Sequence, residues 1–188
     1  MTPFDYLSVL LSIVLGLAIT QLLAGFAGLV RARDRAIMYW PLPVQMAAVF
    51  IISVQMWWSL FGLHDARRWT FAMFLIVLMQ PVGVYLMAAF ITPDTSGERA
   101  LDLRAIYFRE RAWFFGASLF SLFVSLAKNF IVNPGAPNGM DMAGHAIFGA
   151  LGLAGLVSRR DLVHKIVAPG TLLFFCAYIA LLFARLPG

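Results

Sequence analysis

The stretch FDYLSVLLSIVLGLAITQLLAGFAGLV (4–30) contains one charged residue, Asp5, and is otherwise apolar or weakly polar. A helix needs about 20 such residues to cross the hydrocarbon core of a bilayer. This stretch is therefore long enough to span a membrane. It is longer than the apolar region of a cleavable signal peptide and no basic residue precedes it, so we expect it to remain in the mature protein.

The composition of the whole chain also indicates a membrane protein. Of its 188 residues, 62 % are hydrophobic and 12 % are charged, and the mean hydropathy is +0.86. A soluble domain carries about 25 % charged residues, so this chain lacks the polar residues to cover a water-exposed surface. The composition excludes a cytosolic enzyme, a secreted disulfide scaffold and a disordered regulator. The single cysteine, Cys176, cannot form a disulfide or a thiolate cluster within one chain.

Five further apolar stretches match the length of a membrane span. They are residues 38–62, 69–92, 112–132, 142–158 and 166–184. The sequence thus predicts an all-α fold, a polytopic bundle of six transmembrane helices in a single domain, 1–188. Residues of about 98–111, before the fourth span, are predicted to form a cytoplasmic segment that lies at the interface or extends the helix.

The basic residues predict the orientation of these spans. With six spans, ten of the fourteen Lys and Arg residues fall in the first, third and fifth connections; without the fifth span the split would be eight to six. The positive-inside rule therefore favours six spans with both termini on the non-cytoplasmic side. The basic residues that give the net charge of +5 lie at the ends of the apolar stretches. Their position indicates anionic headgroups on the cytoplasmic side as the partner, and not nucleic acid.

Small residues recur along the first and fifth spans and predict a helix-packing seam, since small side chains let helix backbones approach closely in lipid. We expect the seam to face other helices of the bundle or a second chain. The fifth span, which is also rich in glycine, is expected to lie centrally or against another chain. The seam residues are Ser8, Ser12, Gly16, Thr20, Ala24, Gly28, Ala146, Ala150 and Ala154.

Three amides and one histidine are candidates for a polar path or for hydrogen-bonded helix contacts. Gln21, Gln55 and Gln80 lie within spans, and His145 lies one turn inside the fifth span. Amides join helices through side-chain hydrogen bonds of about 1 kcal/mol and also line permeation paths. Gln80 precedes Pro81, and a proline in a span removes a backbone hydrogen bond and kinks the helix.

The remaining polar residues give no catalytic motif. Arg104, Arg109 and Arg111 are predicted to contact lipid headgroups or a protein partner, and Lys128 is expected to extend to the outer headgroups. We predict no metal and no cofactor within one chain, because His64 and His164 fall at opposite ends of the membrane. A haem that is shared between two chains and ligated by His145 is the alternative that the sequence leaves open.

Three stretches carry a family resemblance: DYLSVLLSIVLGLAITQLL (5–23), VQMWWSLFGLHDARRWTFAMFLIVLMQPVGVYLMAAF (54–90) and DLRAIYFRERAWFF (102–115). They resemble a family of small polytopic bacterial inner-membrane proteins with no established function. The resemblance covers about the first two thirds of the chain. It implies a multi-pass protein of the bacterial inner membrane and transfers no site residues.

Two functional classes follow from the sequence, and the first is favoured. It is a non-catalytic protein that forms a homo-oligomer or an accessory subunit of a larger membrane complex, which suits the packing seams. The second is a channel or carrier for a neutral or weakly polar solute, lined by the glutamines and His145. An intramembrane enzyme acting on lipids ranks third, because the sequence does not reveal a nucleophile, a base and an oxyanion donor together.

Overall fold

The structure, a computed structural model, describes residues 3–63, 69–97, 100–132 and 139–182. Six of its helices are long and apolar enough to cross a membrane. Because 86 % of the structure is helical, the predicted all-α, six-span bundle is confirmed, and the chain is a multi-pass membrane protein. The helices are α1 (Pro3–Arg31), α2 (Pro41–Ser59), α3 (Phe71–Ile91), α4 (Leu103–Val132), α5 (Gly139–Val157) and α6 (Asp161–Leu182).

The fourth helix begins earlier than the predicted span. The Asp102 carboxylate accepts the backbone N–H groups of Arg104 and Ala105, each at 3.0 Å, and so caps the start of α4. Leu103 and Tyr107 are buried in the first turns. From Leu103 onward the predicted interfacial segment is therefore the first part of α4. Residues 98–99 of that segment and 183–184 of the sixth span lie outside the described residues.

Helix packing follows the chain order only in part. The most extensive packing joins α3 to α4, then α2 to α6 and α1 to α3. Gly83 allows α3 to approach α4 closely, since a Cβ there would lie 3.2 Å from the Ser121 backbone. Gly155 of α5 likewise lies directly against the Phe115 ring of α4. These two glycines set the spacing of α4 from both of its neighbours.

A short sheet joins two connections at one end of the bundle. Strand β1 (Ala36–Ile37) pairs in parallel with β2 (Leu101–Asp102). The all-α prediction did not include these four residues, because two-residue strands carry no periodic signal in a sequence. We call this end, with residues 32–40, 92–97 and 158–160, the basic end. The other end, where α2, α4 and α6 finish and α3 and α5 begin, we call the cavity end.

Arg111 is buried at the basic end, 8 % exposed. Its guanidinium Nη1 donates to the carbonyl oxygens of Gly155, Leu156 and Ser158 at 3.1, 2.5 and 2.7 Å. A helix C-terminus leaves carbonyls without partners and carries negative partial charge, so the cation stabilises the end of α5. The structure thus places Arg111 beneath α5 and away from the surface where headgroup contact was predicted.

The predicted seams face outward for most of their length. On α1, Gly16, Thr20 and Ala24 are exposed, whereas Gly28 is buried against Thr95. Ser8 and Ser12 are partly buried. On α5 the alanines of the seam, Ala146, Ala150 and Ala154, are also exposed. It is the glycines of α5 that face the bundle, at residues Gly144, Gly149, Gly152 and Gly155.

Candidate functional site

A polar cavity lies inside the bundle at its cavity end. Its volume is about 170 Å³. One water needs at least about 10–15 Å³ of such space, so the cavity holds several waters or a small organic molecule. Five helices contribute ten polar side chains to its wall: Gln55, Ser59, Gln80, Ser121, Ser125, Lys128, Asn129, Asp141, His145 and Tyr178.

The polar residues of α4 and α5 follow helical spacing. On α4 the spacing is four residues and then three, at Ser121, Ser125 and Lys128, and Asn129 follows directly. These four residues therefore lie on one face of α4. Along the helix axis this face extends about 12 Å from the deepest of them to Asn129. The cavity thus reaches from the end of α4 toward the middle of the membrane span.

The Asp141 carboxylate is held by hydrogen bonds from two helices. Asn129 Nδ2 donates to Oδ2 at 2.8 Å, and the Tyr178 hydroxyl donates to Oδ1 at 2.8 Å. Charge-assisted hydrogen bonds of this kind are stronger than neutral ones. They fix the carboxylate between α4 and α6 at the start of α5.

His145 is held on both ring nitrogens. Its Nδ1 lies 2.8 Å from the backbone carbonyl oxygen of Asp141 and 3.6 Å from the carboxylate Oδ1 of the same residue. Because a carbonyl oxygen only accepts hydrogen bonds, Nδ1 carries the hydrogen. Nε2 is then the acceptor for the Ser125 hydroxyl, whose Oγ lies 3.1 Å away.

Four further side chains on the cavity wall retain unused hydrogen-bonding groups. Within the described residues, no hydrogen bond or ion pair is formed by Gln55, Gln80, Ser121 or Lys128. The Asp141 carboxylate acts on the Lys128 ammonium electrostatically. Lys128 lies on the cavity wall, and contact of its ammonium with the outer headgroups stays a prediction. Two amides, one hydroxyl and one ammonium offer donors to whatever occupies the space.

Apolar side chains complete the cavity. Phe148 of α5 and Phe174 and Phe175 of α6 line it beside the polar groups. The Phe148 and Phe175 rings meet edge to face, with centroids 5.1 Å apart. The cavity is consequently amphipathic, with polar groups from all five helices and aromatic rings from α5 and α6.

Gln21 lies apart from the other two amides of the predicted set. It lines a second cavity at the basic end, which is larger, about 460 Å³, and more open to the surface, with Arg31, Thr92 and Asp94 among its neighbours. Hydrogen bonds from the Ser96 hydroxyl and backbone N–H hold the pKa of the Asp94 carboxyl below its usual value. The structure therefore brings Gln55, Gln80 and His145 together and leaves Gln21 at the opposite end.

Buried apolar residues separate the two cavities. On α3, Val84, Met87 and Ala88 lie between Gln80 and Thr92 and are at most 1 % exposed. The two cavities share no lining residue. Among the described residues the polar groups thus form a one-sided cavity and not a continuous path through the bundle.

The other predicted surface residues lie at the basic end. Arg104 Nε lies 3.3 Å from Asp161 Oδ1, and its guanidinium lies over the Phe108 ring. Arg109 is largely exposed and pairs with Glu110 at 2.7 Å. Contact of these two arginines with headgroups or a protein partner stays a prediction.

The two histidines that the structure describes do not meet. His145 lies at the cavity end, His164 is buried at the basic end, and His64 lies outside the described residues. In the part of the chain that the structure describes, no three His, Cys, Asp or Glu residues are grouped as a metal site would require. That no metal or cofactor binds stays a prediction.

Sequence reasoning missed Ser125, Asn129, Asp141 and Tyr178 as members of this site. A weak signal was present, because the α4 residues share a helical face and Asp141 precedes His145 by four positions. Residue spacing alone does not predict that this face of α4 packs against α5, or that Asp141 contacts Tyr178, which lies 37 residues later.

The comparisons with known proteins add no relative. No family model, no curated protein and no solved structure matches this chain. The resemblance drawn from the sequence stays a prediction, and the function has to be inferred from the cavity itself.

Proposed function

We propose that the protein binds a small, neutral, oxygen-bearing molecule in the cavity, entering from the cavity end, and that it acts as a carrier. The observation that supports this most is the group of unused donors on Gln55, Gln80 and Lys128 within membrane-spanning helices. Within a membrane span, polar groups without a protein partner must be satisfied by water or by a ligand. A ligand whose oxygens accept from these donors takes the place of that water.

The charges of the cavity favour a neutral ligand. The formal charges of Lys128 and Asp141 cancel, and Asp141 is already engaged by two donors. An added anion or cation would leave one net charge in a confined space between membrane-spanning helices. A neutral molecule with carbonyl or hydroxyl oxygens avoids this cost and uses the amides and the ammonium as donors.

The one-sided shape favours a carrier over a channel. A channel needs a polar path that is continuous in one conformation, whereas a carrier exposes its site to one side at a time. Gln80 is the deepest amide of the cavity and precedes Pro81, which lies inside α3. A proline within a helix is a site of bending, and bending of α3 there would move the amide relative to α4.

Native mass spectrometry of the protein in mild detergent tests the binding. We expect a bound small molecule on the unaltered protein, and loss of that mass in Gln80→Leu. Gln21→Leu is the matched control, because its amide lies in the other cavity and its substitution should leave the bound mass unchanged. An unaltered protein that never carries a small molecule, or equal occupancy in both variants, would contradict the proposal.

Counterflow in liposomes then tests the transport step. The molecule identified by its mass is loaded inside the vesicles, and uptake of its labelled form is followed. A carrier accelerates this exchange, and Gln80→Leu should abolish it while Gln21→Leu does not. Binding without exchange would contradict the proposed transport and would leave ligand binding as the function.

Assembly with a second chain is the other function that a specific observation favours. Gly16, Thr20 and Ala24 form an exposed stripe of small residues on α1, and the alanines of α5 form another. Such stripes let helices associate in lipid. Crosslinking in native membranes tests this: Gly16→Ile or Ala150→Ile should dissociate an oligomer. An unaltered protein that is monomeric in membranes would exclude self-assembly.

A further inference from the structure

We propose that Ser125 is a nucleophile, activated by His145, that cleaves a small neutral ester bound in the cavity. This inference rests on the proposed ligand site, and it names both the class of ligand and a reaction. It does not depend on transport. An ester meets the requirements derived for the ligand, since it is neutral and its carbonyl oxygen accepts hydrogen bonds.

The geometry of the three groups is that of an activated nucleophile. The Ser125 hydroxyl donates to His145 Nε2 at 3.1 Å, and Nδ1 is held by the Asp141 carbonyl oxygen at 2.8 Å. The ring is thus fixed in the tautomer that accepts the hydroxyl proton. The Asp141 carboxylate, 3.6 Å from Nδ1, favours the protonated ring that forms during proton transfer.

A catalytic site of this kind also needs donors for the oxyanion and room for the acyl group. The unused donors of Gln55, Gln80 and Lys128 line the same cavity as Ser125. Phe174 and Phe175 provide an apolar wall for the acyl chain. The cavity volume of about 170 Å³ limits the substrate to a short acyl group or to the end of a longer chain.

The reaction consumes water and balances in two steps. The Ser125 Oγ bonds to the carbonyl carbon while His145 Nε2 takes the hydroxyl proton, and the ester C–O bond then breaks as the alcohol oxygen takes that proton. Water from the cavity end next attacks the acyl-serine carbon and gives its proton to His145. The C–Oγ bond breaks, Oγ regains the proton, and a carboxylic acid leaves.

A biotin-tagged alkyl fluorophosphonate is the direct probe. It phosphonylates an activated serine with loss of fluoride, and peptide mass spectrometry locates the adduct. We expect the adduct on Ser125 of the full chain in lipid nanodiscs, with none in Ser125→Ala. His145→Gln should slow labelling by about 10²-fold or more, the typical contribution of a general base. Ser118→Ala is the matched control and should label normally, because Ser118 lies on α4 outside the cavity and its hydroxyl donates to the Phe114 carbonyl oxygen at 3.0 Å.

Hydrolysis of p-nitrophenyl butyrate tests turnover by the same residue. Ser125→Ala should abolish it and Ser118→Ala, outside the cavity, should not. Asp141 acts as a positioning residue through His145, so Asp141→Asn should lower kcat with KM nearly unchanged. Loss of folding is monitored by circular dichroism and gel filtration of each variant.

The outcomes separate this inference from the proposed function. If Ser125 stays unlabelled while a thiol reagent reaches a folded Ser125→Cys variant, the nucleophile is refuted and the ligand site stands. If neither reagent reaches position 125, both fail. Labelling of Ser121 or Ser59 in place of Ser125 would also overturn the assignment.

Discussion

The Tyr107 hydroxyl and His164 Nδ1 lie 3.0 Å apart, in a pocket where the histidine is fully buried. The second ring nitrogen, Nε2, lies 2.9 Å from the Ser158 carbonyl oxygen. Since that oxygen only accepts, Nε2 carries the hydrogen and Nδ1 accepts from Tyr107. The pair therefore joins α4 to α6 and to the connection that follows α5.

Tyr107→Phe should destabilise the bundle, because it leaves Nδ1 of a buried imidazole without a donor. The expected loss is about 1–3 kcal/mol in the free energy of unfolding. Chemical denaturation in detergent, followed by circular dichroism, measures it. Tyr85→Phe is the control, since that side chain is 37 % exposed, and equal stability of the two variants would contradict this role for the pair.

Gly155→Ala tests the close approach of α4 and α5. An added methyl group would overlap the Phe115 ring, and overpacking of this kind typically costs about 1–3 kcal/mol. Gly116→Ala adds the same methyl group where no atom lies within 4 Å and should be neutral or stabilising by up to about 1 kcal/mol. Thermal unfolding of both variants gives the comparison, and a stabilised Gly155→Ala would contradict the packing.

The predicted orientation has its own test. Reporter fusions after Asp34, Gly97 and Arg160 should report the cytoplasm, because ten of the fourteen basic residues lie in those connections. Fusions at Gly139 and at the C-terminus should report the opposite side. A cytoplasmic C-terminus would reverse the membrane side from which the cavity is filled.

The spans were readable from the sequence because each needs only length and apolar composition, which are local properties. The direction of the seams was not readable. A small residue such as Gly16 permits close packing, but the sequence does not indicate whether the neighbouring helix belongs to the same chain. On α1 the buried positions are instead large apolar residues, among them Leu15 and Leu22.

The site depended on non-local geometry. The sequence predicts Gln55 and Gln80 as site residues because each is polar and lies within a span, and the structure places both on the cavity. The third predicted amide, Gln21, lies at the basic end. Nothing in the sequence around a single glutamine indicates which helix, or which end of the bundle, its side chain will contact. Ser125 and His145 are 20 residues apart on different helices, so their hydrogen bond follows only from the packing of α4 on α5.

The central claim is that polar side chains within the spans line a cavity that is open to water at one end. Reaction of Ser125→Cys with a water-soluble methanethiosulfonate tests it most directly, in membrane vesicles and with Cys176 replaced by alanine. The account predicts modification from one membrane face only, and no modification of Val84→Cys, a position 0 % exposed. An unreactive cysteine at position 125, or equal reactivity at both positions, would contradict it.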